Sequence, residues 1–334
     1  MKKAKLKIII PVLIVVLALI LVLFITRDNV TTYNSSEDDN SITYTKLTEI
    51  TDDVNTIYDL QYQGKIKSQI NRLIKKHNYT FDNPLLTVNP FGTNTTGIYM
   101  YFTTDIACKA DYSIETSGYN SFSESLNNDE QDGYTTVHEY LLVGSVPGTT
   151  NIITVNLYDE TDNLVDSLCW SYDATNLAGS EDNIQLEVTN GESNEPLSDG
   201  FYTMLGNRTA EDNEEIDFIL IYDNDGTIRS EIPIISYRSC RILFEDDIMY
   251  FSTSASLIAA MDRTGQITNL YNTGDYKLHH DYIFGAQNDF LVLASQKNSD
   301  TQEDLIISID ATTGDINKLV DLKDLFSNYY KNLT

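Results

Sequence analysis

Phe218-Ile-Leu-Ile-Tyr-Asp223-Asn-Asp-Gly226-Thr-Ile228, Leu257-Ile-Ala-Ala-Met-Asp262-Arg-Thr-Gly265-Gln-Ile267 and Leu305-Ile-Ile-Ser-Ile-Asp310-Ala-Thr-Thr-Gly314-Asp-Ile316 repeat one pattern. An apolar strand runs into an Asp-x-x-Gly turn, with one residue inserted before Gly314, and a second strand follows. The pattern predicts a β-hairpin each time, because Asp hydrogen-bonds the backbone ahead of it and Gly adopts positive φ without cost. The three aspartates stand 39 and 48 residues apart. A recurrence of about 40–50 residues is that of a four-stranded propeller blade. Gly265 to Ala294 leaves room for the two further strands of a blade. Residues 190–334 are therefore expected to form about three blades of a β-propeller.

Upstream the periodicity is also two. In Ala107–Glu115, Cys108, Ala110, Tyr112 and Ile114 alternate with Lys109, Asp111, Ser113 and Glu115, which predicts a half-buried strand and gives Cys108 a structural place. Ile153, Val155 and Leu157 lead into the turn Asp159–Asn163, and Leu164, Leu168 and Trp170 resume the pattern. Residues 82–178 read as an immunoglobulin-like β-sandwich. Polar stretches at Thr175–Asn183 and Thr189–Asn194 read as linkers. The 22 Tyr, 12 Phe and 16 Gly fit this strand-rich reading better than a helical bundle.

Before Asn83-Pro84 the period changes to that of a helix. Ile57, Leu60, Ile66, Ile70, Leu73 and Ile74 recur at three- and four-residue steps, with Lys65, Lys67, Arg72, Lys75 and Lys76 between them. Gly64 weakens the middle of this segment and is a place for it to split. Residues 26–81 are thus a polar stalk followed by an amphipathic helix. Ile8–Ile25 is an uncharged apolar run of 18 residues behind Lys2, Lys3, Lys5 and Lys7. At about 1.5 Å per residue it spans most of a hydrocarbon core. It predicts an uncleaved, single-pass anchor over 8–25 with a cytoplasmic basic tail, 1–7, and the bulk of the chain extracytoplasmic at the cell membrane.

The 334 residues carry 22 Lys+Arg against 50 Asp+Glu, a net charge of −28. Five of the basic residues lie at or before Arg27 and all the acidic ones after it, so the remainder has 17 − 50 = −33. That charge excludes nucleic acid as a partner. Cys108, Cys169 and Cys240 form no CxxC, so at least one thiol stays outside any disulfide, and all three read as small buried apolar residues.

Four histidines are candidates for chemistry. His77 closes the basic helix face, where a cation suits the helix C-terminus. His138 sits in a strand and reads as a partly buried ring hydrogen-bonded across the sandwich. His279-His280-Asp281 precedes the apolar Tyr282-Ile-Phe strand at the end of a Tyr/Asn/Gly-rich connection. It reads either as a surface pair or as a loop-borne site. No zinc spacing is present. Asp223-Asn-Asp-Gly226 begins like a calcium loop but has no later Glu, and no phosphate loop, GxSxG or Cys/His pair occurs. No metal or cofactor is expected.

Asn83-Pro-Leu-Leu, Asn89-Pro-Phe-Gly-Thr, and His138 followed by Gly144-Ser-Val-Pro-Gly-Thr-Thr-Asn-Ile resemble the N-terminal domain of arylsulfate sulfotransferases. The resemblance continues through Asp225-Gly-Thr-Ile-Arg229, His279-His-Asp281 and Glu303–Asp310 to Asp321-Leu-Lys-Asp-Leu-Phe326, in order over residues 50 to 334. It implies a small β-sandwich followed by a six-bladed propeller. It also implies transfer of a sulfuryl group from an aryl sulfate to a phenol through a sulfohistidine, with no adenylyl-sulfate cofactor. His280, with His279 beside it, matches the first of the family's active-site histidines, which contacts the sulfuryl group or leaving oxygen and is not the nucleophile. The family's second histidine, its arginine and its nucleophilic histidine match no residue here. The resemblance therefore implies a truncated relative, inactive alone. Two alternatives stay open: a non-catalytic binding or scaffold protein, and one half of a split enzyme. The expected partners are aryl sulfate and phenol, the membrane through 8–25, and a second copy or a second chain supplying the missing blades.

Overall fold

The computed structural model describes residues 32–34, 42–126, 133–179, 200–206, 215–236, 239–298 and 304–331. The apolar run 8–25 lies outside them, and among the described residues no helix is long and apolar enough to cross a membrane. The described residues are thus mainly strand with short helices and hold no membrane-spanning helix, which corrects the expected fold class for them, while the anchor expected over 8–25 falls on residues outside them.

The helical pattern folds as two pieces, α1 (Val54–Ile57) and α2 (Leu60–Lys76). The break falls at Tyr58–Asp59, not at Gly64, because Asp53 and Asp59 each start a helix. Their carboxylates accept from the backbone N–H of Thr56 and Gln61 respectively. Helix α2 buries Tyr62, Gln63, Ile66, Ile70 and Leu73, and all of these but Gln63 pack with Leu85, Phe91 and Tyr99.

The expected two-layer sandwich is one continuous curled sheet of eight strands. Its members are β1 (Thr32–Asn34), β2 (Thr43–Thr45), β3 (Leu85–Val88), β4 (Ile98–Thr116), β5 (Phe122–Ser125), β6 (Thr135–Leu142), β7 (Thr150–Tyr158) and β8 (Leu164–Asp173). The reason is β4. Its first half pairs with β3 and β6 and its second half with β5 and β7, with a register shift between Thr103 and Cys108 where the strand turns the corner. The alternation from Cys108 to Ile114 lies past that corner, and Cys108, Ala110, Tyr112 and Ile114 face the core with Ile153, Val155, Leu157 and Trp170. Cys169 points outward and is exposed, and only Cys108 is fully buried, which corrects the reading of three buried thiols.

His138 lies in this core with no exposed surface, stacked on Phe102 at a centroid distance of 4.4 Å. Its partners are on its own strand and the neighbouring one, not across a second layer. Thr104 Oγ1 already donates to the Ile106 carbonyl, so at 3.2 Å it accepts from His138 Nε2–H. Nδ1 accepts from the Tyr140 hydroxyl at 2.8 Å. Burial pushes the imidazole pKa down to about 4. The unfolded chain, with an ordinary histidine, takes up this proton first, so stability from this group is complete above about pH 6.5 and falls as pH drops to about 4. The loss is about 3 kcal/mol. His138→Phe is expected to flatten the acid limb of a urea-midpoint-against-pH curve in that window, and an unchanged limb would refute the assignment.

The repeats fold as three separate antiparallel sheets. The first is β9 (Tyr202–Met204), β10 (Asp217–Tyr222) and β11 (Ile228–Ile234). The second is β12 (Ile242–Glu245), β13 (Ile248–Ser254), β14 (Leu257–Met261) and β15 (Ile267–Asn272), and the third is β16 (Tyr276–Phe284), β17 (Asp289–Gln296), β18 (Leu305–Asp310) and β19 (Ile316–Asp321). Each predicted hairpin supplies two adjoining strands of its sheet: β10–β11, β14–β15 and β18–β19. In the turns Asp223 Oδ1 accepts from the N–H of Asp225 and Thr227, Asp262 Oδ1 from Thr264 and Gln266, and Asp310 Oδ1 from Thr312 and Thr313. Gly226, Gly265 and Gly314 take φ of 81°, 86° and 75°. The first sheet has three strands among the described residues, in the order β11-β10-β9, and the second and third have four each, in sequential order β12 to β15 and β16 to β19. Short helices α3 (Leu322–Leu325) and α4 (Ser327–Tyr330) follow β19.

The curled sheet docks on these hairpins through buried polar contacts. Arg229, fully buried, pairs with Asp223 (Nη2–Oδ2 2.6 Å) and donates to the carbonyls of Gly144 and Asn120 at 3.0 and 2.8 Å. Glu231 accepts from Thr95 Oγ1 and from the N–H of Ala178 and Gly179. The Asn89-Pro-Phe-Gly loop is held by Gln63, which donates to the Phe91 carbonyl, while Thr93 Oγ1 donates to the carbonyl of Gly265. Helix α1 belongs to the hairpin side: Val54, Ile57 and Tyr58 share a core with Ile219, Ile232, Phe251 and Ile267.

Candidate functional site

Three sheets meet around a cavity of about 440 Å³. That is within the range of small-molecule sites, about 300–1,000 Å³. Met204, Leu205 and Gly206 come from the first sheet and the residues after β9, and Ser239 and Cys240 from the approach to β12. Ser254 and Ala255 follow from the end of β13, and Leu278, His279 and His280 from β16. Two backbone bonds cross the joins here: Ser239 N–H to the Leu205 carbonyl at 2.6 Å, and Leu278 N–H to the Ala255 carbonyl at 2.7 Å. The Ser239 hydroxyl lies 3.1 Å from that of Ser252, which also accepts from Cys240 N–H at 2.8 Å.

His279-His280-Asp281 is a bulge. Leu278 pairs with Ala294 and Tyr282 with Val292, so three residues of β16 stand opposite the single Leu293. The surplus pushes the segment out of the ladder and re-aims its side chains. His280 takes φ of 60°, in the left-handed region. Histidine enters that region more readily than most non-glycine residues, and where it does so a surrounding structure has to hold it. His279 is half-buried and His280 exposed. The two rings meet edge to face with centroids 4.0 Å apart.

Asp281 turns away to a partner that sequence reasoning missed. Arg241 Nη1 donates to both carboxylate oxygens of Asp281, at 2.8 and 2.9 Å. Tyr282 N–H donates to Asp281 Oδ1 at 2.9 Å, and the Tyr282 hydroxyl donates to the Arg241 carbonyl. Burial raises the Tyr282 hydroxyl far above the ordinary phenol range, so it remains a donor.

The structure thus brings His279 and His280 to one cavity and leaves His77 and His138 away from it. His77 is exposed at the end of α2 beside Tyr79. Asp223 serves its turn and Arg229, and among the described residues no group of three or more His, Cys, Asp or Glu side chains is arranged to hold a metal ion. Chemically the cavity offers two imidazoles, two hydroxyls and a thiol beside the apolar surface of Met204, Leu205, Ala255 and Leu278. That combination suits a flat apolar group carrying a polar ester.

Residues 187–334 match the family model described as Arylsulfotransferase (ASST). The resemblance read from the residues holds over that span, which contains the three hairpins and the His279-His280-Asp281 bulge. The Asn83, Asn89 and Gly144 segments lie outside the match. No curated protein matches the chain. Among solved structures, Sqt1 of Saccharomyces cerevisiae matches at 10% identity, covering 70% of this chain and 72% of that one, with a TM-score of 0.25.

Proposed function

We propose that this arylsulfotransferase-type chain binds an aryl sulfate in the cavity under the His279-His280 bulge and takes part in sulfuryl transfer to a phenol. The observation that carries the reading is the convergence of this histidine pair, in a span that matches the family model, on a cavity with one apolar side. The ring of the ester lies against Met204, Leu205 and Leu278. His280 donates to a sulfuryl oxygen or to the leaving aryl oxygen.

In the transfer the nucleophilic imidazole, for which this sequence offers no match and which a second copy or chain would supply, attacks sulfur, and the S–O bond to the aryl group breaks with the aryl oxygen keeping the electron pair. A phenol oxygen then attacks the sulfohistidine and gives up its proton to solvent, the N–S bond breaks with its electron pair returning to nitrogen, and the imidazole is restored. His280 is not given the nucleophile's part. It stabilises charge that develops on oxygen, as oriented donors do in phosphoryl transfer. A non-catalytic binding protein is the second reading, since no residue of this sequence matches the family's nucleophilic histidine.

The test titrates p-nitrophenyl sulfate into the full chain and into His280→Ala, and follows p-nitrophenolate release with an acceptor phenol present. The substitution is expected to weaken binding about tenfold, the worth of one hydrogen bond to a charged group. Any phenolate release by the full chain should slow about 100-fold or more, the scale of one lost oxyanion donor. Binding without release in both proteins favours the second reading, and equal affinity in both sinks the assignment of His280.

A further inference from the structure

The bulge raises the question of what keeps three residues opposite one and His280 at positive φ. The bulge's own ladder cannot, since its backbone has left the sheet between Leu278 and Tyr282. Two side-chain links fasten its C-terminal end instead, and both end on Arg241. The guanidinium grips Asp281, the last bulge residue, and the Arg241 carbonyl accepts from the hydroxyl of Tyr282, the first residue back in register. Arg241 in turn follows Cys240, a wall of the cavity, whose N–H is fixed by Ser252.

We infer that Arg241 is a positioning residue: by clamping Asp281 it holds the His279-His280 bulge aimed at the cavity. The inference rests on the proposed reading for its functional consequence, and on the hydrogen bonds alone for the positioning. Arg241 and Asp281 side chains are 43% and 42% exposed. An ion pair in that setting contributes little to stability, because water screens it and two long side chains must be ordered. Geometry is a different matter. One guanidinium nitrogen on both carboxylate oxygens fixes where Asp281 stands, and hence the turn that places His280 one residue earlier. The same exposure makes the clamp sensitive to salt.

The experiment compares full-length wild type, Arg241→Gln, Arg241→Lys and Asp281→Asn. Three quantities are read: melting temperature, the NMR positions of the His279 to Tyr282 amides and histidine rings, and affinity for p-nitrophenyl sulfate. Arg241→Gln and Asp281→Asn are expected to shift the resonances of the bulge and to weaken binding about fivefold, while the melting temperature moves by less than about 2 °C. Lysine should recover part of the affinity, because it restores the charge without the planar fork. Raising salt should move wild-type bulge resonances toward those of Arg241→Gln and leave the variant almost still. Unmoved resonances overturn the inference. So does a collapse of thermal stability in Arg241→Gln, which would make the pair a general strut. If His280→Ala leaves affinity untouched while Arg241→Gln still shifts the bulge, the clamp stands and the sulfuryl reading falls.

Discussion

Replacing Arg229 by Met is expected to destabilise the folded chain by about 3–5 kcal/mol, seen as a fall in melting temperature of roughly 10 °C. Arg229 is the largest fully buried side chain, and it does three jobs from one position. It neutralises Asp223, it satisfies the Gly144 carbonyl at 3.0 Å, and it satisfies the Asn120 carbonyl at 2.8 Å. Met fills similar space but leaves a buried carboxylate without its counter-charge and two carbonyls without a donor. The charge is the largest of these penalties, so the double variant Asp223→Asn/Arg229→Met should recover a good part of the loss. Asn retains the Oδ1 acceptor that holds the N–H of Asp225 and Thr227. A double variant no better than the single would show that the carbonyls, not the charge, set the cost.

The second large effect is expected at Phe251. Its ring is fully buried, stands edge-on to Tyr58 at 6.3 Å, and shares a core with Val54, Ile57, Ile219, Ile232 and Ile267. Phe251→Ala is expected to cost about 3–5 kcal/mol, from lost transfer energy plus the cavity left behind. In urea the midpoint should fall with the slope unchanged. Because α1 reaches into this core and Tyr58 donates to the Pro233 carbonyl at 2.7 Å, amide protection in 54–58 should drop together with that of β10 to β15. Loss of protection confined to the helix would mean that the two do not form one core.

The hairpins were legible because everything they need is local. An Asp, a Gly four or fewer residues on and two apolar strands determine the turn, and in all three the Asp Oδ1 accepts from the N–H two residues on. Burial along β4 was legible for the same reason, since alternation reports which side chains face the core. Alternation does not report which strands share a ladder, so the curled sheet and its corner near Thr103–Cys108 could not be read from it. The helix break was misplaced at Gly64 because propensity was weighed above capping, and Asp59 decided the matter. The histidine pair was visible as a motif, yet its setting was not: the Arg241–Asp281 clamp joins residues 40 apart across two sheets, and nothing in either neighbourhood announces it. Arg229 carried the family resemblance and turned out to be a structural cation, a reminder that a matched motif can mark an interface as readily as a site.

The continuity of β4 has a mechanical consequence. A strand of 19 residues whose two halves pair with four neighbours couples both parts of the sheet, and flexing it about its corner would strain ladder bonds on either side. At the cavity, by contrast, the walls come from three different sheets, and the Ser239–Leu205 and Leu278–Ala255 bonds stitch one wall to the next. Compliance is therefore greater at the cavity, where small rotations of whole sheets accommodate an occupant while the eight-stranded sheet keeps its curvature.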